Sequence, residues 1–471
     1  MKFALAWAVA AGAIGSGFQH GYNTGVLNSP QAVMEEWTRK VLNNPSNFAV
    51  KMYWSSVVSA FCVGAMCGGA LSGIMANRFG RKKSLLMNNF LVVLAVISMV
   101  LAKNTSNIYL LIVGRFIIGI NTGLNTGLGP TYLYEIAPVS QRGAIGCIYQ
   151  LVITTTILLA QVVRNGSVLG TESLWPFMLA LILVPAIFQV IAFIWAPESP
   201  RYVYLKENDS VRLFEVLSRI YSDENIMARM HEVQEDIEDG RGQETLKFSE
   251  MLRKPSLRTP LSTVIMLMLV QLLSSINIGV QDAAFAVKEL ESRTRHYNQS
   301  ANLLATVVCV FLIDRIGRKM LMLFSLGIMI LTTIVIFISF YLIPQNHNFV
   351  YISVLAIFLF ALGYGLGVAP IPWVIATEMF NTASRVRAVG FCVFVTWFFK
   401  LAFSLSVLAL QVVLGPAVYL IFMASQTLGF IFAWIFLPET SNMPVSLVTA
   451  HFRRQAQERF RTASSFAPRR A

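Results

Sequence analysis

The chain has 471 residues, of which 55% are hydrophobic and 13% charged, about half the charged share usual in a soluble protein. The apolar excess falls in long uninterrupted blocks of about 20 residues, the length a helix needs to cross a bilayer core, and this excludes a soluble globular fold for most of the chain. The net charge of +13 reads as basic loops facing anionic lipid rather than as a nucleic-acid surface.

Candidate spans in the first half run over 3–26, 53–76, 84–102, 108–130, 143–163 and 174–196. The first block, from Phe3, lacks the short apolar core and cleavage site of a signal peptide, so it reads as the first helix. A charged stretch from Arg201 to Arg258 follows. Within it Leu213, Val216, Leu217 and Ile220 share one helical face, as in short surface helices joining two halves. The second half offers 259–281, 299–313, 320–343, 349–376, 388–413 and 417–437, and a basic tail closes the chain. The expected organisation is therefore all-α and membrane-embedded, with a six-helix bundle over 1–200, a linker over 201–258, a second bundle over 259–441 and a tail over 442–471.

Orientation follows from the basic residues. Arg78, Arg81, Lys82 and Lys83 after the second span, the linker, the Arg315–Lys319 loop and the tail are rich in them, while the opposite loops are poor. The positive-inside rule then puts both termini and the linker in the cytoplasm. The sequons at Asn104 and Asn165 fall on the other side, although Asn208 is a sequon within the linker. All five cysteines (Cys62, Cys67, Cys147, Cys309, Cys392) lie in apolar stretches and read as small core residues rather than disulfides or metal ligands.

An internal repeat is the sharpest organisational signal. NRFGRKK from Asn77 returns as DRIGRKM from Asp314. Glu135 with Arg142 returns as Glu378 with Arg385, and PES from Pro197 returns as PET from Pro438. Three pairs in one order at nearly one offset imply a duplicated six-span unit, an arrangement common in transporters. The duplicated charges map to the linker-side ends of spans. Gly80 and Gly317 permit tight turns there, so arginines can reach carboxylates on neighbouring helices. The expected network is Arg78, Glu135, Arg142, Arg315, Glu378 and Arg385, a latch that forms in one state and opens in another.

The runs GYNTGVLNSPQ (21–31), GRFIIG (114–119), YLYEIAP with RG (132–143), PESPR (197–201), PIPW (370–373) and PETS (438–441) resemble the facilitative glucose transporters, the sugar-porter branch of the major facilitator superfamily. The similarity covers nearly the whole chain. It implies twelve transmembrane helices in two six-helix bundles around a central cavity, a cytoplasmic helical linker, and substrate bound at the midplane while the bundles rock. Proton-coupled relatives carry an Asp where this chain has Asn23, near the fourth-span Arg115. An amide cannot take up and release a proton as a carboxylate can, so the resemblance implies passive uniport.

By the same similarity, the groups contacting a polyhydroxylated substrate would be Gln150, Gln271, Asn277 and Asn302, with Trp373 and Trp397 as aromatic walls and Gln161 as a weaker candidate. For any one intramembrane amide, an inter-helix hydrogen bond is an equally good reading. The departures from the family pattern are local. The span-seven run reads QLLSSIN followed by Gln281 and Asp282, with Leu272 for the second Gln and no paired tyrosines. Gly365 stands where a Glu is expected, and Thr396 and Lys400 where Asn is expected. Asp282 reads most simply as a charge at a helix end. Lys400 lies about 18 Å into its span at 1.5 Å per residue, too deep for easy snorkelling, so a water-filled cavity is its expected home.

Three functions stay open at this point. The first is facilitative uniport of a hexose such as glucose or fructose. The second is transport of an organic anion such as urate, which Lys400 motivates. The third is a transport-deficient sensor or scaffold, motivated by the altered span seven. An enzyme is not expected, since the sequence has no phosphate-cradling glycine loop, metal-ligand cluster or nucleophile arrangement. Nor is any cofactor or metal. The expected partners are a small-molecule sugar and the lipid bilayer, without nucleic acid, for a monomer in the plasma membrane.

Overall fold

The computed structural model of the protein describes residues 3–26, 31–43, 45–163, 168–221, 226–240, 248–274 and 291–454. Among these, eleven helices are long and apolar enough to cross a membrane. Residues 3–25 add a twelfth span, helical throughout, with a wide π-helical stretch at Ala10–Gly17. Spans 2 to 6 are Asn47–Phe79, Arg81–Asn104, Ile108–Ile136, Arg142–Val163 and Trp175–Trp195. Spans 7 to 12 are Pro255–Leu273, Glu291–Ile316, Arg318–Leu342, Phe349–Glu378, Thr382–Leu414 and Val418–Phe436. The chain is thus a multi-pass membrane protein with the expected two halves of six spans.

Between the halves, the linker forms helices Pro200–Glu207, Ser210–Ile220, Ile226–Asp239 and Phe248–Arg253. Leu213, Val216, Leu217 and Ile220 are all buried, as their shared face requires. Ser199 caps the first of these helices by accepting from the Tyr202 amide at 3.3 Å.

Small residues set the closest approach of spans 2 and 4. A Cβ added at Gly64, Gly68, Gly119 or Gly123 would stand 2.1–2.3 Å from backbone carbonyl oxygens of the facing helix. The two backbones therefore touch, which is how membrane helices gain packing where water gives no hydrophobic drive. Outside this seam, Leu71 and Ile74 on span 2 and Leu304 and Phe311 on span 8 expose large apolar surface, which suits contact with lipid.

Polar side chains tie the first half together internally. Gln19 Oε1 accepts from Asn121 Nδ2 at 3.0 Å and Asn125 Nδ2 at 2.9 Å, and its Nε2 donates to Asn89 Oδ1 at 2.9 Å. Asn89 donates to Gln189 Oε1 at 2.9 Å, and Gln189 donates to the Ala11 carbonyl in the π-helical stretch at 3.0 Å. Four spans are thereby stapled by amides that hydrogen-bond to one another, which lowers the cost of burying them in hydrocarbon. A second π-helical stretch, Tyr364–Val368, interrupts span 10. Such turns cluster at functional sites.

Candidate functional site

Two clusters of side chains stand out, one at the linker-side ends of the spans and one at the middle of the membrane-spanning region. The first is built twice on the same plan. Gly80, at φ 88°, ends span 2, and Gly317, at φ 95°, ends span 8. This is a backbone conformation that glycine adopts without strain. Each glycine lets the chain reverse into a new helix whose first residue is a buried arginine. Arg81 grips Glu135 with Nη2–Oε1 and Nε–Oε2 distances of 2.8 Å each. Arg318 grips Glu378 with Nη2–Oε1 at 2.7 Å and Nε–Oε2 at 3.2 Å. The free amides of each new helix donate to the repeated PES/PET carboxylate. Glu198 accepts from Arg81 N and Lys82 N at 3.0 Å each, and Glu439 accepts from Arg318 N at 2.9 Å and Lys319 N at 3.0 Å. A carboxylate at a helix N-terminus satisfies donors and complements the dipole.

This corrects the sequence reading at two positions. Arg78 and Arg315 are exposed and take no part in the network. Arg78 continues the outward face of Leu71 and Ile74, and Arg315 that of Leu304 and Phe311, so helical periodicity points both away from the carboxylates. The arginines that follow the glycines, Arg81 and Arg318, do the work instead. The other four expected members, Glu135, Arg142, Glu378 and Arg385, are buried and lie in or beside the cluster.

Contacts between the halves complete the cluster. Arg385 Nη1 of span 11 lies 3.5 Å from Glu135 Oε1 of span 4. Asp314 of span 8 accepts from the Gly143 and Ala144 amides at the start of span 5, at 3.1 and 2.9 Å. The linker joins in as well. Glu232 pairs with Arg142 and, at 3.1 Å, with Arg201. Asp236 pairs with Arg201 and accepts from the Thr382 hydroxyl at 2.5 Å. Burial alone would push the Glu232 carboxyl up, but Arg201, Arg142 and Arg229 together outweigh it and hold it down at about 2. Tyr134 offers its ring to Arg385 at 4.4 Å and to Arg142 at 4.8 Å. The halves are bolted together on the linker face. Sequence reasoning missed Arg201, Glu232, Asp236 and Asp314, although Arg201 closes the PESPR run and Asp314 opens the second basic repeat.

The second cluster gathers around the π-helical stretch of span 10. Gln271 donates to the Ala369 carbonyl at 2.6 Å. Asn302 packs against Gly365, where an added Cβ would meet its carbonyl oxygen and Oδ1 at 2.5 Å each. Among the described residues, that Oδ1 has no hydrogen-bond partner. Trp373 follows one turn later and is buried. From the first half, Gly146, one turn before Gln150, comes within 3.0 Å of Val374 as measured from an added Cβ. Gln150 itself is half-buried and donates to Thr154 Oγ1 at 3.4 Å. These residues share one region. Gln161 stands about 16 Å further along span 5, so the structure does not bring it to that turn. Asn277 and Asp282 lie outside the described residues.

Trp397 marks the seam between the halves. Its ring meets Phe61 edge-on at 5.4 Å and lies 5.9 Å from His20. Lys400 Nζ sits over the same indole at 4.2 Å, and the Arg115 guanidinium lies over Phe61 at 4.3 Å. His20 Nδ1 is 3.4 Å from both Tyr149 Oη and Thr126 Oγ1. It was not singled out from sequence, although an ionisable residue within a span is itself a functional signal. Asn23 donates to the Gln19 carbonyl at 2.8 Å, within its own helix. Among the described residues, no hydrogen bond joins Asn23 to Arg115.

Comparison with known proteins agrees with this architecture. The sequence model of the family described as "Sugar (and other) transporter" matches residues 8–452. The chain is 34% identical to the facilitated glucose transporter member 1 of solute carrier family 2 from Gallus gallus, over 96% of this chain and 94% of that protein. It is 33% identical to member 3 from Ovis aries, over 96% and 93%. Among solved structures, the major facilitator superfamily proton:xylose symporter XylE bound to 6-bromo-6-deoxy-D-glucose superposes with a TM-score of 0.83 at 21% identity. The match covers 95% of this chain and 99% of that one.

Proposed function

The chain belongs to the sugar (and other) transporter family, whose members are carriers and not enzymes, and on that premise we propose facilitative uniport of a hexose such as glucose or fructose by alternating access. The observation that carries this reading is the amide-rich region around the span-10 π-helical stretch. Gln271 and Asn302 pack against it, Gln150 lies one turn from the contact of span 5 with Val374, Trp373 supplies an apolar wall, and among the described residues Asn302 Oδ1 is left unpartnered. Amides both donate and accept, as a polyol requires. Asn277 and Trp397 extend the proposed set. Uniport is supported by Asn23, an amide with no proton to exchange at the family's coupling position. The contacts at the linker face hold one side shut, and opening them is the other half of the cycle. On this reading the linker and both termini face the cytoplasm of a plasma-membrane protein.

The test is reconstitution into liposomes with radiolabelled hexoses, with and without a pH gradient. Saturable hexose flux indifferent to the gradient is the expected result. Flux driven by an inward proton gradient would overturn uniport, and a folded protein that moves no solute would replace the carrier with a sensor. Transport of an organic anion such as urate is the second reading, favoured by Lys400 at the seam.

A further inference from the structure

The middle of the protein holds two cations from opposite halves. Arg115 of span 4 lies over Phe61, Phe61 meets Trp397, and Lys400 of span 11 lies over Trp397. Two aromatic rings thus separate two positive charges, and Cys62 is within electrostatic reach of both. His20 is within reach of Lys400. Among the described residues, no carboxylate pairs with either cation. Arg115 Nε and Nη1 are buried with no hydrogen-bond partner among the described residues. Lys400 keeps accessible surface while its Nζ lies over the Trp397 ring.

Buried cations are normally paired, because desolvating a charge costs several kcal/mol. Ring faces recover only part of that, roughly 0.5–2 kcal/mol each. Among the described residues the site holds two cations and no counter-charge, an arrangement complementary to an anion. The amides at the span-10 turn are complementary to hydroxyl groups. One molecule satisfying both is a polyol that carries a single carboxylate.

We infer that the cavity accepts a sugar acid, its hydroxyl groups on the span-10 amides and its carboxylate on Lys400, with Arg115 supplying positive potential from the opposite half. The inference rests on the sugar-carrier reading and narrows its substrate class. Lys400 is the specificity-determining residue in this arrangement. It replaces part of the amide set with a charge-assisted hydrogen bond, which is about twice as strong as a neutral one.

Purified full-length protein in liposomes, given labelled D-glucuronate and labelled D-glucose in parallel at fixed membrane potentials, tests this. Saturable glucuronate uptake, accelerated by an inside-positive potential, is expected. Lys400→Gln should lower it roughly tenfold to a hundredfold, and Lys400→Arg should retain most of it. Glucose flux that glucuronate does not inhibit and Lys400→Gln does not alter would overturn the sugar-acid inference and leave the hexose reading standing. Glucuronate flux that survives Lys400→Gln unchanged would overturn the role of Lys400. Movement of neither solute, by protein whose helical content and unfolding are intact, would overturn both readings together.

Discussion

Arg385 of the second half places Nη1 3.5 Å from Oε1 of Glu135 in the first half, and both side chains are wholly buried. The same carboxylate is held from its own half by Arg81. One anion therefore serves a contact within a half and a contact between halves.

Glu135→Gln should loosen both. Removing one partner of a buried ion pair leaves uncompensated charge and costs about 3–5 kcal/mol. A lowered thermal unfolding midpoint in detergent and at least a tenfold loss of transport rate are expected. An unchanged midpoint would show that Arg81 and Arg385 find other partners.

The register of the basic repeat predicts opposite outcomes for neighbouring arginines. Arg81→Ala should destabilise by about 3 kcal/mol or more, because it removes the two shortest arginine contacts of the buried Glu135 carboxylate. Arg78→Ala should cost under about 1 kcal/mol, since its side chain is exposed. The second repeat should behave alike, with Arg318 critical and Arg315 tolerant. Comparing denaturation midpoints of the four variants checks both pairs.

At Gly365 the missing acid of the family pattern has a steric counterpart. A Cβ there would stand 2.5 Å from Asn302 O and Oδ1, so span 8 has closed over the place a side chain would occupy. Gly365→Ala should cost about 1–3 kcal/mol by overpacking and weaken substrate affinity by displacing Asn302. Equilibrium binding and unfolding of the one variant read both effects.

Acid should release the linker. Glu232 is held at about 2 in the folded protein, below the ordinary carboxylate value of about 4.3. Its contribution, about 3 kcal/mol, is fully present above that ordinary value and is lost as pH falls from about 4.3 toward 2. Glu232→Gln should remove this acid dependence and weaken the protein at neutral pH. Unfolding followed between pH 6 and pH 2 in both proteins makes the comparison.

Much of this was legible in the sequence because the bilayer enforces it. Apolar blocks become spans, and duplicated motifs become duplicated sites. Glu135 and Glu378 could be recognised by their spacing to Arg142 and Arg385. What failed was finer than the motif. Choosing Arg81 over Arg78 requires knowing that the helix restarts at the glycine, and that Leu71 and Ile74 already face outward. Asp236 and Glu232 were illegible for another reason. Their partners, Arg201 and Arg142, lie far away in sequence, and a charged residue on a linker helix looks like a solvated one until the fold brings arginines to it. The amide staple of Gln19, Asn89, Asn121 and Gln189 was hidden too, because each residue alone reads as a minor polar interruption of an apolar block.

The seam between spans 2 and 4 also bears on how the gene can vary. At Gly64, Gly68, Gly119 and Gly123 the facing carbonyl leaves no room for one more carbon, and every missense change of a glycine codon adds at least that carbon. These four sites therefore admit no conservative replacement. A clinical or laboratory survey of random variants should find this stretch depleted of tolerated substitutions, while Leu71 and Ile74 on the same helix accept most apolar exchanges.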